Sequence, residues 1–438
     1  MGGGRRRLES VDGLRALTHL SVIGFHTALV TTALVPSSGG LWDGVRQHPV
    51  HTCLVFGGTQ VDTMFMLSGL LFKRRGVRDY VATRVARLLP GMIICAALGL
   101  ALGDDWGGAA AGKVLPYMFF FGNYLDAQKW GSLTMTLAWS NAVDFQVGLV
   151  LELLPTPPRE SVSYGLIALS LWLRGRLFDV NSINMFLIGE YTHFGRLMSQ
   201  RTYDWVRDFY DYEWPSSPDP AARSLSAEYV NKMYMRTHTR FGPFVVGTCL
   251  AAFLKKSNNN TTTSSAVSTT ILRMITTFFA FSILIGPCVP PGDAVPDVGT
   301  QFAITAAMRT LSATAAASLL YRALVKADNP WSLPILERFL SAKCWKPVAR
   351  LSYLSYLIHF RIILELVFRF CKNVALETPG DVARLELCVF AISTLASLSA
   401  SALLHVWIEA PLQRLIYSLL APPGGHDTKD FRVCVLKK

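Results

Sequence analysis

Long apolar runs recur through most of this chain, and they constrain it more than any other feature. Leu88 to Leu102 reads LLPGMIICAALGLAL, with no charge at all. With Val81 to Arg87 in front of it, the stretch approaches the roughly 20 residues a helix needs to cross a bilayer. Leu14–Val35, Phe241–Leu254, Ile271–Val289, Phe302–Leu324, Leu351–Phe370 and Leu385–Ile408 repeat the pattern. A soluble domain buries one or two such segments, not this many. Of the 438 residues, 51% are hydrophobic and 16% charged, against about 25% charged in an ordinary soluble domain. The expectation is an all-α, polytopic transmembrane bundle of about 10–12 helices.

The net charge of +12 does not point to nucleic acid. The basic residues sit in short loops beside apolar runs, as cytoplasmic loops of membrane proteins do, and no aromatic-interleaved basic stripe is present. Eight cysteines are scattered without a C-x-x-C pair, so no zinc or disulfide framework is expected and no metal is implied. Arg5-Arg6-Arg7 followed by a long apolar stretch reads as a retained first helix with a cytoplasmic N-terminus. Lys73-Arg74-Arg75-Gly76-Val77-Arg78, Arg174/Arg176, Lys255-Lys256, Lys326 to Arg350 and Lys437-Lys438 fit the same side. The second pass is expected over about Thr52–Phe72, and the parity then requires four passes within 114–187, some of them short or re-entrant. The aromatic, mixed-charge segment 191–240 reads as an extracytoplasmic cap, 257–270 as a flexible linker, and 421–438 as a cytoplasmic tail. Asn259 and Asn260 form glycosylation sequons, but Lys255-Lys256 places them inside.

Ionisable side chains within apolar helices are costly, and each marks a candidate functional position. Helix one carries Asp12, Arg15, His19 and His26. Arg15, His19 and His26 follow one helical face, with Arg15 and His26 about 16 Å apart along the axis. Snorkelling to the interface also accounts for Arg15, and a hydrogen bond to a neighbouring helix also accounts for His26. Asp62 precedes a Ser68-Gly69 break. Arg84 and Arg87 open helix three ahead of Pro90 and form either a phosphate-gripping fork or membrane anchors. Asp144 and His359 interrupt further apolar runs, and Glu409 stands at a helix end, within reach of Arg414.

Taken in order, these segments resemble the acyltransferase family 3 of membrane enzymes, nearest to its eukaryotic branch of nose-resistant-to-fluoxetine-like proteins. The likeness rests on Asp12-Gly13-Leu14-Arg15-Ala16 with His26, Val61-Asp62 through Leu67-Ser68-Gly69, and Arg84, Arg87 and Pro90. It continues through Trp139-Ser140 and Asp144-Phe145-Gln146, Thr239-Arg240 with Pro243, Leu351-Ser352-Tyr353 through His359, and Glu409-Ala410-Pro411. It spans about residues 8 to 417 and places one integral-membrane acyltransferase domain over 1–420. Position 27, a second histidine in many members, is Thr27 here.

The resemblance implies transfer of an acyl group, acetyl in many members, from acyl-coenzyme A to a hydroxyl of a carbohydrate or lipid-linked acceptor. The class is acyltransferases that move groups other than amino-acyl groups. A hydroxyl attacking a thioester needs a base, and neutral imidazole, with an ordinary pKa of about 6.5, suits that task. His26 takes this role, and Arg15, Arg84 and Arg87 bind the coenzyme's phosphates. Asp62, Asp144, His359 and Glu409 are orienting or structural partners. A lipid or small-molecule transporter also keeps buried His, Arg and Asp in its midplane, and an inactive relative serving as receptor or scaffold would keep them too.

Overall fold

The structure is a computed structural model that describes residues 2–36, 40–102, 110–125, 134–154, 160–177, 200–213, 230–259, 298–325, 329 and 331–420. Among these residues there is no strand, so the all-α expectation holds. The elements are α1 (Gly2–Thr31), α2 (Gly40–Gln47), α3 (Pro49–Val55), α4 (Gln60–Leu70), α5 (Val77–Ala101), α6 (Ala110–Met118), α7 (Trp139–Leu153) and α8 (Glu160–Arg176). They continue with α9 (Gln200–Tyr210), α10 (Thr237–Asn259), α11 (Val298–Leu324), α12 (Pro334–Leu340), α13 (Trp345–Glu365), α14 (Pro379–Leu404) and α15 (Ala410–Leu420). Among the described residues, Glu9–Leu34, Val77–Ala101, Trp345–Cys371 and Pro379–Leu420 are long and apolar enough to cross a membrane. The run 271–289, residues 260–270 of the linker, the tail 421–438 and residues 191–199 and 214–229 of the cap lie outside the described residues.

One expectation about helix boundaries changes. The second pass is not one helix over 52–72. It is split into α3, a 3-10 turn at Phe56–Thr59 and α4, because Gly57-Gly58 costs a helix interior about 1 kcal/mol per glycine. Of the four passes expected within 114–187, the described residues show α6, α7 and α8, and the nine-residue α6 is a short one; 126–133, 155–159 and 178–187 lie outside the described residues.

The centre is built from α1, α13 and α14. α1 and α13 run parallel, since His19 meets Ser355 and His26 meets His359. α14 runs against both, since Glu386 meets Thr31 and Ser397 meets Ser355. α14 begins sharply at a capping box. The Thr378 hydroxyl accepts from the Asp381 N–H (3.2 Å), the Asp381 carboxylate accepts from the Thr378 N–H (2.9 Å), and Pro379 follows at the first helical position. Its faces are inverted relative to a soluble helix. Glu386, Ser393, Ser397 and Ser401 are fully buried, while Leu395, Leu403 and Trp407 beyond its end (77% exposed) point outward. Only a lipid environment makes that arrangement favourable.

A second layer holds α4, α8, α10 and α11. α4 and α10 cross at Gly69 and Gly247. A Cβ on Gly69 would fall 1.9 Å from the Phe244 carbonyl oxygen, and one on Gly247 would fall 1.9 Å from that of Met66. Small residues let helix backbones approach closely inside membranes. α5 packs beside α7, α13 and α15. The described part of the cap, around α9, covers the far end of α1 and α13: the Tyr212 hydroxyl donates to the Ala33 carbonyl (2.7 Å), and Tyr210 stacks on Phe368.

Candidate active site

The apolar stripe of α1 places His26 against α13. His26 Nδ1 lies 2.9 Å from His359 Nε2, with Phe25 and Phe360 packed on the ring. His359 Nδ1 faces the backbone carbonyls of Tyr356 (2.8 Å) and Ser355 (3.2 Å). Carbonyls only accept, so these contacts assign the His359 proton to Nδ1. His359 Nε2 is then an acceptor, and His26 Nδ1 donates to it. The lone pair of neutral His26 therefore lies on Nε2, the atom available to take a proton. One residue away in this network, His19 Nε2 donates to the Ser355 hydroxyl (2.8 Å), which donates to Ser397 (3.1 Å). The neighbour of His26 is therefore His359 of α13, 333 residues away in sequence.

Arg15, Arg84, Arg87 and Asp144 come from α1, α5 and α7 and line one cavity of about 200 Å³. Ser140, Tyr353 and Tyr356 also line it. Tyr356 is three residues before His359, with ring centroids 5.8 Å apart, so one wall of the cavity stands one helical turn from His359. Neither histidine lines it. Arg84 is paired with Asp144 at 2.8 Å and Arg15 with Asp12 at 3.3 Å. Arg87 has no ion pair among the described residues, and its guanidinium is the one best placed to accept an incoming anion.

Asp62 lies elsewhere. It is fully buried and its two oxygens are held by Arg240 (2.6 Å) and Arg309 (3.1 Å). Arg240 lies over the Tyr234 and Trp139 rings, and Arg309 over Tyr234, so the cluster ties α4, α10 and α11 together. Glu409 does not pair with Arg414. It bonds His405 (2.7 Å) and Gln413 (3.2 Å), because residues four apart share a helix face and Arg414 is rotated off it. Reading the sequence missed Arg309 and the buried His51–Glu386 pair (2.6 Å). An ionisable residue inside the apolar runs Phe302–Leu324 and Leu385–Ile408 was the signal for two of them. Asn141, whose amide donates to the Tyr353 hydroxyl (3.3 Å), also went unremarked.

The family model of the acyltransferase domain, acyltransferase 3, matches residues 8–406. The chain belongs to the acyltransferase 3 family. It is an integral-membrane acyltransferase, and the histidine pair and the arginine cavity both lie within the matched span. No curated relative and no solved structure matches the chain significantly.

Proposed function

We propose that this acyltransferase moves an acetyl group from acetyl-coenzyme A to a hydroxyl of a carbohydrate or lipid-linked acceptor, with the arginine-lined end facing the cytoplasm. The observation that carries the reading is a cationic cavity lined by Tyr356, one helical turn from His359, which in turn holds His26 so that the lone pair of His26 Nε2 stays free. Arg87, with Arg84 and Arg15 beside it, matches the phosphates of the coenzyme, since guanidinium groups bind them in a fork. Asp144 holds Arg84 in place. His26 Nε2 takes the acceptor's hydroxyl proton as its oxygen attacks the thioester carbon. The carbon–sulfur bond breaks, and the imidazolium returns the proton to the departing sulfur. His359 accepts from His26 Nδ1 throughout and so keeps Nε2 directed at the substrate. Thr239-Arg240 with Pro243 supports membership of the nose-resistant-to-fluoxetine-like branch.

The test uses the purified protein in lipid nanodiscs with acetyl-labelled coenzyme donor and a panel of glycans and lipid-linked sugars. Label should appear on an acceptor hydroxyl, with one free thiol released per transfer. Thiol release without labelled acceptor, or label on an amine, would contradict the proposed chemistry.

A further inference from the structure

The cavity carries two separate groups of cations. Arg15, Arg84 and Arg87 are partly buried within it, while Lys73 and Arg75, from the segment joining α4 to α5, are exposed at its rim. Arg84 lies seven residues into α5, about 10 Å of helix rise from Val77. Asp144, already held by Arg84, is the one carboxylate among the lining residues.

A run of consecutive cations tends to splay apart, and simple interfacial anchoring asks only that each side chain reach water. This run is instead fixed in place. Glu152, buried near the end of α7, accepts the backbone N–H groups of Arg75 (3.0 Å) and Gly76 (3.1 Å). Arg74 turns away from the cavity and donates to the carbonyls of Glu152 (3.0 Å) and Leu154 (2.6 Å). With Arg74 anchored to α7, Lys73 and Arg75 on either side of it both line the cavity. Gly76, at φ +91°, makes the turn into α5 in a conformation that glycine adopts without strain.

We infer that Lys73 and Arg75 form a second phosphate subsite that reads the 3′-phosphate of coenzyme A, with Glu152 as the residue that positions them. The inference rests on the donor reading above. Coenzyme A carries a pyrophosphate next to its thiol-bearing arm and a separate phosphomonoester on the far ribose. A thioester delivered to the histidine pair leaves the pyrophosphate nearer the inner arginines and the 3′-phosphate nearer the rim. A phosphomonoester bears roughly −1.5 to −2 charges at neutral pH, which two cations at one rim match.

Calorimetry in zwitterionic nanodiscs, comparing coenzyme A with 3′-dephospho-coenzyme A, tests this without turnover. The wild-type protein should bind coenzyme A about tenfold or more tightly than the dephospho form. Lys73→Ala/Arg75→Ala should close most of that gap, and Glu152→Gln should narrow it by releasing the rim. Arg87→Ala should weaken both ligands alike and leave the gap. Lys73 and Arg75 are exposed, so the double variant decides the matter even if Glu152→Gln proves poorly folded. Equal wild-type affinities, or a gap that survives in the double variant, would overturn the inference while leaving the donor reading intact. No gap, combined with Lys73-dependent retention of anionic lipid in detergent, would assign the rim to lipid headgroups instead. Binding of neither coenzyme would refute the donor reading itself.

Discussion

At the scale of single residues, His26 and His359 are bonded to each other but are not equivalent. His359 Nδ1 is committed to two backbone carbonyls and its Nε2 to His26, so His359 acts through His26. His26→Gln keeps hydrogen bonding without basicity, and kcat should fall about 10²–10⁴-fold, the usual contribution of a positioned general base, while coenzyme binding is retained. His359→Gln still offers His26 an acceptor and should lose less than His359→Leu. Near-normal turnover in His26→Gln would make the pair a structural bridge. The arginines differ in the same way. Arg87→Ala should reduce coenzyme affinity at least about tenfold, given about 1.5–3 kcal/mol for a charge-assisted hydrogen bond. Arg84→Ala also leaves Asp144 without its cation, so it should lower the melting temperature, which Arg87→Ala should not. Calorimetry and thermal melts of both variants check the contrast, and equal melting losses would mean that the Arg84–Asp144 pair adds nothing to the fold.

At the scale of elements, charge is used to fasten helices that have little hydrophobic reason to associate in lipid. Asp62 on α4, Arg240 on α10 and Arg309 on α11 form one buried cluster. Removing one partner of a buried pair costs about 3–5 kcal/mol, because the other charge stays behind. Asp62→Asn should therefore lower the melting temperature sharply and shift the protein towards aggregates on size exclusion, with any surviving folded fraction still binding coenzyme. A folded, stable Asp62→Asn with no turnover would instead place Asp62 in the chemistry. The inverted faces of α14 have the same origin, since its serines and Glu386 lie inside and its leucines outside.

At the scale of the whole molecule, Arg15 near the middle of α1, the first half of α5 and the middle of α13 all border the arginine cavity. The described part of the cap lies at the opposite end, against Ala33 and Phe368. With the basic clusters cytoplasmic, single cysteines introduced near the N-terminus and within 73–78 should be labelled only from the cytoplasmic side of sealed vesicles. Labelling from the other side, or a native glycan on Asn259 or Asn260, would reverse the orientation.

The sequence by itself determined the all-α membrane fold, the face shared by Arg15, His19 and His26, and the entry of α5 with Arg84 and Arg87. These are local properties, set by helical period and by the cost of placing charge in lipid. It could not show that His26 meets His359, that Arg15 and Arg84 have ion pairs while Arg87 has none among the described residues, or that Asp62 is held by two arginines on other helices. It misjudged the partner of Glu409 and the continuity of the second pass. Those outcomes depend on how helices far apart in the chain register against one another. Interhelical register is decided by close packing at points such as Gly69 and Gly247, a property of two surfaces together that neither segment carries alone.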